Sequence, residues 1–130
     1  MPSRVGVDLV AVDDVEESIA THAEHYLARV YTEREIADCT TPEGVDPRRL
    51  AARFAAKEAA LKVLRPGEVG LSLREIEVRR EPGGWVELQL HGPAAELARQ
   101  AGLESFAVSL THEGGYASAV VIADLDLRNG

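Results

Sequence analysis

The chain has 130 residues, 45% of them hydrophobic, which suits one domain with its own core. The chain has 14 Lys and Arg against 22 Asp and Glu, which gives a net charge of -8. This charge argues against binding nucleic acid through the electrostatic field of the whole protein. A bound anion would need a local cluster of basic side chains. A single cysteine, Cys39, excludes an internal disulfide framework and fits a reducing compartment. With no signal-peptide pattern and no apolar run near the roughly 20 residues that span a bilayer, we expect a cytoplasmic protein.

The first third of the chain predicts a strand and two helices. Residues 4–12 are rich in valine and predict a strand buried on both faces. Asp13 or Asp14 then predicts the cap of a helix. Its apolar stripe has helical spacing and consists of Val15, Ile19, Ala23, Leu27 and Val30. A second helix is expected to restart just after Val30.

Two local signals divide the next segment. Thr32 followed by Glu35 three residues later predicts a capping box at the start of the second helix. Residues 40–47 have the composition of a turn and predict a loop. A third helix is predicted from about Pro47 to Leu64.

The C-terminal half predicts two hairpins separated by a helix. Residues 71–80 and 84–91 alternate in polarity around the turn "EPGG". A helix follows from Pro93 and ends at Gly102. Residues 105–112 and 116–123 predict the second hairpin.

The order βααα, ββ, α, ββ predicts an α+β fold, with helices packed on an antiparallel sheet in a single domain spanning 1–130. Residues 124–130 are expected to form a loose tail. Residues 4–12 and 116–123 are more apolar than a small, half-solvated sheet requires. Either helices cover both faces of this sheet or another subunit does.

Four charges interrupt the apolar third helix without gathering on one face. At about 100° per residue, Arg53 and Lys57 lie on one line and Glu58 and Lys62 on another, roughly 140° away. One interpretation is structural: Glu58 and Lys62 form a surface ion pair, while Arg53 and Lys57 extend along apolar surface with their charges in water. The other interpretation is that these charges face a ligand.

Asp8 makes a ligand site worth considering, because it lies within the strand predicted to be buried. A carboxylate there needs a cation, a hydrogen-bond donor or an opening to solvent, and an arginine or backbone N–H group would satisfy it without a metal. Asp8 and Glu58 together would suit Mg²⁺, which takes one or two carboxylates plus phosphate oxygens and water. Lys62 would then balance a phosphate, and Arg53 and Lys57 would hold further phosphate charge. Gly6 leaves room for close approach of another backbone.

His112 ends a predicted strand just before the turn "EGG", where a side chain can face a cleft. A lone histidine at such a place is more often a plain surface residue than a ligand. Ser109 and Thr111 share the strand face opposite the core, so His112 should point the other way unless the strand twists at its end.

Four segments, taken together, resemble the holo-acyl-carrier-protein synthases, which are small bacterial phosphopantetheinyl transferases. They are "GVDLV" (6–10), "YTEREI" (31–36), "RFAAKEAALK" (53–62) and "SLTH" (109–112). The resemblance implies the phosphopantetheinyl-transferase-like fold. It also implies Mg-dependent transfer of the phosphopantetheine moiety of coenzyme A to a serine of an acyl carrier protein, which releases adenosine bisphosphate.

The resemblance also implies roles for particular residues. Asp8 and Glu58 match carboxylates that hold Mg²⁺, Lys62 matches a lysine near the phosphates, and Arg53 and His112 match residues that contact coenzyme A. Glu58, or a water that it orients, is the candidate general base. Family members of this kind are homotrimers with active sites between subunits, so the strands are expected to complete a barrel-like core at a trimer interface.

The first helix departs from the family pattern. Members of the family carry a basic residue where this chain has Asp14, and they grip the acidic carrier protein with basic side chains. Here Asp13, Glu16 and Glu17 make the segment acidic, which disfavours an acidic partner. Two other functions therefore stay open: an inactive relative that serves as a binding or assembly module, and an enzyme that uses a coenzyme A thioester for other chemistry.

Overall fold

The structure is a computed structural model that describes residues 2–126. The helices are α1 (Val12–Val30), α2 (Glu33–Asp38), α3 (Pro47–Leu64) and α4 (Gly92–Ala101). The strands are β1 (Ser3–Ala11), β2 (Thr40–Thr41), β3 (Gly44–Val45), β4 (Ile76–Arg80), β5 (Val86–Leu90), β6 (Leu103–Glu113) and β7 (Tyr116–Leu125). Helices packed on antiparallel strands confirm the predicted α+β class.

The principal sheet has the strand order β1-β7-β6 and is antiparallel throughout. The first strand therefore lies against the last: Ser3 pairs with Asp124, and Ala11 pairs with Tyr116. Helix α3 packs against β1 and β7. The pairs β2-β3 and β4-β5 form separate two-stranded ribbons, and residues 2–126 contain no closed barrel, so the expected barrel-like core is not present within one chain.

Strand β1 is not buried on both faces, so that prediction is wrong. Gly6 and Val10 are buried on the side that faces α3, whereas Val5, Val7 and Leu9 are more than half exposed on the other side. The valines correctly predicted a strand, but no element of the described chain covers its outer face. Of the two expected covers for this face, no helix within residues 2–126 provides one, which leaves another subunit.

Helix α1 differs from its prediction at both its start and its middle. It begins at Val12 after an Ala11 cap that makes no side-chain hydrogen bond, so Asp13 and Asp14 lie in the first turn and do not cap it. At Ala23 the backbone leaves the helical region, with φ of 28° and ψ of -106°. Ala23 is exposed, so the continuous apolar stripe predicted through this residue is broken there.

The remaining helix boundaries follow the local signals. The Thr32 and Glu35 capping box is present at α2. Asp46 caps α3 by accepting a hydrogen bond from the N–H of Arg48, and Gly102 ends α4 with φ of 74°. The predicted loop at 40–47 contains the short β2-β3 ribbon.

The predicted loose tail begins too early. Asp124 and Leu125 belong to β7, and the N–H of Asp126 donates a hydrogen bond of 2.8 Å to the carbonyl of Gly102. Residues 127–130 of that tail lie outside the described residues. Between residues 2 and 126, no helix is long and apolar enough to cross a membrane.

Candidate active site

Strand β1 and helix α3 approach each other closely at Gly6. A Cβ atom at this position would lie 2.1 Å from the carbonyl oxygen of Ala59, far inside van der Waals contact. Only a glycine next to a helix face of small residues permits this spacing, as the sequence suggested. The consequence is that Asp8, two residues along β1, comes next to the α3 segment that carries Glu58 and Lys62.

Asp8 and Glu58 line the same cavity of about 450 Å³, which we call the carboxylate cavity. Burial and the charge of Asp8 raise the pKa of Glu58, and Lys62 partly opposes this. The Nζ atom of Lys62 donates to the carbonyl of Val7 at 2.7 Å and lies 3.4 Å from Oδ1 of Asp8. One strand and one helix thus bring two carboxylates and one ammonium group together.

The donor set of this cavity suits a hard cation that keeps most of its ligands outside the protein. Within residues 2–126, no three His, Cys, Asp or Glu side chains converge as a metal cluster. Mg²⁺ is commonly bound by one or two carboxylates together with phosphate oxygens and water. A cation between Asp8 and Glu58 would also relieve the repulsion that raises the pKa of Glu58.

Arg53 and His112 do not line the carboxylate cavity. Arg53 borders a separate cavity together with residues of β4, β5 and β6. His112 is exposed at the end of β6 and borders a third cavity with Arg48 and Glu16. Within one chain, Arg53, His112 and Glu58 therefore border three different cavities.

Lys57 is buried and does not face a phosphate site, so that expectation is wrong. Its side chain has no exposed surface, and its Nζ atom donates to Oε1 of Glu35 at 2.7 Å. The same atom donates to the carbonyls of Leu73 at 2.9 Å and Ile76 at 2.7 Å. These contacts satisfy all three donors of the ammonium group.

Sequence reasoning missed several residues that line the carboxylate cavity, among them Asp14, Tyr26 and Phe54. Tyr26 also borders a larger cavity of about 810 Å³ formed by the second half of α1 and residues 71–74. Its hydroxyl lies 2.8 Å from that of Tyr31, which donates to the carbonyl of Leu50. The break at Ala23 changes the helical phase of α1, and periodicity alone could not show this shift.

The family model described as the 4'-phosphopantetheinyl transferase superfamily matches residues 4–121. The chain belongs to this superfamily.

Among curated relatives, the holo-[acyl-carrier-protein] synthase of Moorella thermoacetica is 41% identical over 121 residues, which cover 93% of each chain. That of Koribacter versatilis is 39% identical and covers 92% of this chain and 95% of the relative.

Solved structures support the same assignment. The protein described as the Chronobacterium ammoniagenes ACPS-CoA complex superposes with a TM-score of 0.81 at 31% identity, covering 97% of this chain and 99% of that chain. Holo-[acyl-carrier-protein] synthase of Helicobacter pylori, solved in complex with coenzyme A, gives 0.80 at 27% identity, covering 93% of this chain and 100% of that chain.

Proposed function

We propose that this chain is an Mg-dependent holo-acyl-carrier-protein synthase, which transfers the phosphopantetheine arm of coenzyme A to a serine of an acyl carrier protein. The observation that carries the proposal is that Asp8 and Glu58 line one cavity while the ammonium group of Lys62 lies 3.4 Å from Oδ1 of Asp8. Relatives with the same name and a fold solved with coenzyme A support the choice of substrates.

The reaction requires three things of the protein. The serine oxygen forms a new bond to a phosphorus of the pyrophosphate, and the bond from that phosphorus to the adenosine bisphosphate oxygen breaks. The serine loses a proton, negative charge on the phosphate oxygens must be neutralised, and the groups must be held in line.

Glu58 and Asp8 of the carboxylate cavity, with Lys62 beside Asp8, divide these tasks. Glu58, or a water that it orients, is the candidate acceptor of the serine proton. Lys62 is half exposed, so its ammonium group can move from Asp8 to a phosphate oxygen. Asp8 and Glu58 would hold Mg²⁺, which when bound supplies charge stabilisation to the pyrophosphate.

We further infer that the working enzyme is a homotrimer whose active sites lie between subunits. Arg53 and His112, the expected coenzyme A contacts, border cavities other than the one that holds Glu58. A second copy of the chain could bring these residues to the carboxylate cavity of its neighbour. The exposed apolar face of β1 provides a surface for such an assembly.

The test is mass spectrometry of several apo acyl carrier proteins incubated with the protein, coenzyme A and Mg²⁺. We expect each substrate carrier to gain the mass of phosphopantetheine. Asp8→Asn and Glu58→Gln should lower the rate by at least about a hundredfold while leaving the melting temperature close to that of the wild type. Glu104→Gln, an exposed carboxylate on β6, is the matched control and should retain the rate.

The same experiment separates the alternatives. Folded protein that transfers to none of the carriers would favour a binding or assembly module. Coenzyme A binding that needs no Mg²⁺, together with no transfer, would favour chemistry on a coenzyme A thioester. Wild-type rates in either carboxylate variant would refute the metal assignment.

A further inference from the structure

A cavity larger than the carboxylate cavity has no role in the reaction described so far. It has a volume of about 810 Å³ and lies between the second half of α1 and residues 71–74, and we call it the helix cavity. Part of its wall is apolar, formed by Val30, Leu71 and Leu73. The basic side chains of the wall are His22, His25, Arg29 and Arg74, and none of its described lining residues is acidic. Such a wall suits a flexible ligand that has apolar segments and hydrogen-bond acceptors.

Tyr26 connects the helix cavity to the carboxylate cavity, because its side chain lines both. The carboxylate cavity is where the pyrophosphate of coenzyme A is proposed to bind. A chain attached to that phosphate can therefore pass Tyr26 and enter the helix cavity without crossing another element of the protein.

The hydroxyl of Tyr26 is oriented by two successive hydrogen bonds. Tyr31 donates to the carbonyl of Leu50 at 3.1 Å, which uses the single proton of its hydroxyl. The Tyr26 hydroxyl, 2.8 Å from that of Tyr31, therefore acts as the donor of their shared hydrogen bond. Burial raises the pKa of both tyrosines, so both hydroxyls keep their protons at neutral pH. Among residues 2–126 nothing donates to the Tyr26 oxygen, which is thus free to accept from a ligand.

The part of coenzyme A beyond its pyrophosphate, the pantetheine arm, matches this arrangement. Its dimethyl and methylene groups can contact the apolar wall, and its amide N–H groups and hydroxyl are donors for the Tyr26 oxygen. Its carbonyl oxygens need donors in turn. Arg29 and Arg74 are exposed at the wall and have several N–H groups that can turn toward them.

We propose that the helix cavity binds the pantetheine arm of coenzyme A and that the oxygen of Tyr26 accepts a hydrogen bond from it. This inference rests on the proposed function. Tyr26 is then a positioning residue, because it fixes the direction in which the arm leaves the phosphate. That direction helps to hold the phosphorus in line with the attacking serine oxygen.

Calorimetry in the presence of Mg²⁺ tests the site with two ligands that differ only in the arm. They are coenzyme A and adenosine 3'-phosphate 5'-diphosphate, which keeps both phosphates of the pyrophosphate. Tyr26→Phe keeps the ring and removes the acceptor, so the Kd for coenzyme A should rise about fivefold. Ala28→Trp fills the helix cavity from an exposed position and should raise that Kd by more than about tenfold. Neither variant should change the Kd for the nucleotide that lacks the arm.

Two matched variants control for structural effects. Tyr31→Phe breaks the same hydroxyl pair, but Tyr31 lines neither cavity, so coenzyme A binding should stay within about twofold of the wild type. Ala20→Trp adds the same bulk at an exposed position of α1 outside both cavities and should also leave binding unchanged. In the transfer assay, Tyr26→Phe should raise the KM for coenzyme A and not the KM for the carrier.

The outcomes separate this inference from the proposed function. Transfer by the wild type, with unchanged coenzyme A binding in both Tyr26→Phe and Ala28→Trp, would overturn the arm site and leave the transferase intact. A raised KM for the carrier with unchanged coenzyme A binding would overturn it as well and assign the helix cavity to the carrier.

Equal losses for the two ligands, or equal effects of Tyr26→Phe and Tyr31→Phe, would mean that the variants distort the carboxylate cavity, and would contradict the positioning role. The expected pattern of binding in a protein that transfers to no carrier would support the arm site and contradict the proposed function.

Discussion

At the scale of single residues, Glu77 joins three parts of the molecule through one carboxylate. Its Oε2 atom accepts from the hydroxyl of Thr32 at 2.6 Å, and its Oε1 atom accepts from Nε of Arg79 at 2.7 Å. Nε2 of His91, at the start of α4, lies 3.1 Å from the same Oε1. Burial alone would raise the pKa of Glu77, but these hydrogen bonds outweigh it and lower the pKa to about 2.

This carboxylate should make stability depend on pH in acid. Because the pKa is lower in the folded protein, the stabilisation is present above the ordinary glutamate value and is lost as the pH falls toward about 2. We expect Glu77→Gln to cost about 2 kcal/mol at pH 7 and to flatten the fall in melting temperature between about pH 4.5 and 2. An unchanged acid profile in thermal unfolding of Glu77→Gln would contradict this assignment.

Gly6 is a second residue with an effect beyond its own position, because it sets the distance between β1 and α3. Gly6→Ala would place a methyl group against the carbonyl of Ala59, forcing β1 away from α3. We expect a loss of about 1–3 kcal/mol or more in urea unfolding, since a packed interior absorbs extra volume poorly. The rate of phosphopantetheine transfer should fall by more than the loss of folded protein explains, because Asp8 moves relative to Glu58. Gly70→Ala is the control, since a Cβ there meets nothing within 4 Å, and equal effects of the two variants would count against a special role for Gly6.

Residue by residue, the sequence predicted the carboxylate pair but misplaced Lys57. Helical spacing correctly placed Glu58 and Lys62 on a different side of α3 from Arg53. The angle between two residues around a helix depends only on their separation in sequence. The position of Lys57 depends on Glu35, 22 residues earlier, and on two carbonyls that follow α3. Nothing in the local pattern indicates that such partners will meet the ammonium group. The cavity that Arg49, Arg53 and Arg80 line escaped notice for the same reason, since these arginines come from α3 and β4.

At the scale of elements, the Lys57–Glu35 pair joins α2, α3 and β4. Besides Lys57, the carboxylate of Glu35 accepts from the N–H groups of Thr32 and Val78, so both partners are fully buried and well hydrogen bonded. Burial lowers the pKa of Lys57, while the charge and hydrogen bond of Glu35 oppose that shift. The pair therefore holds α3 in the orientation that turns Glu58 toward the carboxylate cavity.

Removing one partner should cost more than removing both charges. We expect Lys57→Met to lose about 3–5 kcal/mol in urea unfolding, because it leaves the carboxylate of Glu35 buried and without its cation. Adding Glu35→Gln should recover part of that loss, because it removes the buried carboxylate that has lost its cation. Strictly additive losses in the double variant would show that the two residues act independently.

Helices with local start and stop signals were predicted well, as the capping box of α2 and the glycine that ends α4 show. Two elements were not. The break in α1 occurs at Ala23, a residue type that ordinarily favours a helix, so no sequence signal marks it. The outer face of β1 carries the same valines as a buried face, and composition does not reveal whether a cover belongs to the same chain.

At the scale of the whole molecule, the exposed apolar residues of the principal sheet form one stripe. Its members are Val5, Val7 and Leu9 of β1 with Val120 and Ile122 of β7. The strand register pairs Val7 with Val120 and Val5 with Ile122, so the side chains are neighbours across the sheet. A contiguous patch of this kind marks an interaction surface, and the inferred homotrimer would bury it.

Val7→Glu should disperse the assembly, because a carboxylate in an apolar interface loses hydration without gaining a partner. Light scattering after size exclusion should show three chains for the wild type and one for the variant, and transfer should be lost with the neighbouring subunit. Val69→Glu also changes an exposed valine, but away from the sheet, and should leave mass and rate unchanged. A monomeric wild type with full activity would contradict the shared site.

The pairing of β1 with β7 also decides when the site can assemble during synthesis. Asp8, Glu58 and Lys62 all leave the ribosome early, but the strand that carries Asp8 forms its ladder only with residues 116–124. Contacts so distant in sequence close slowly and late. A nascent chain, or a product cut before that last strand, would carry all three side chains and yet lack the paired strand that holds Asp8 in place.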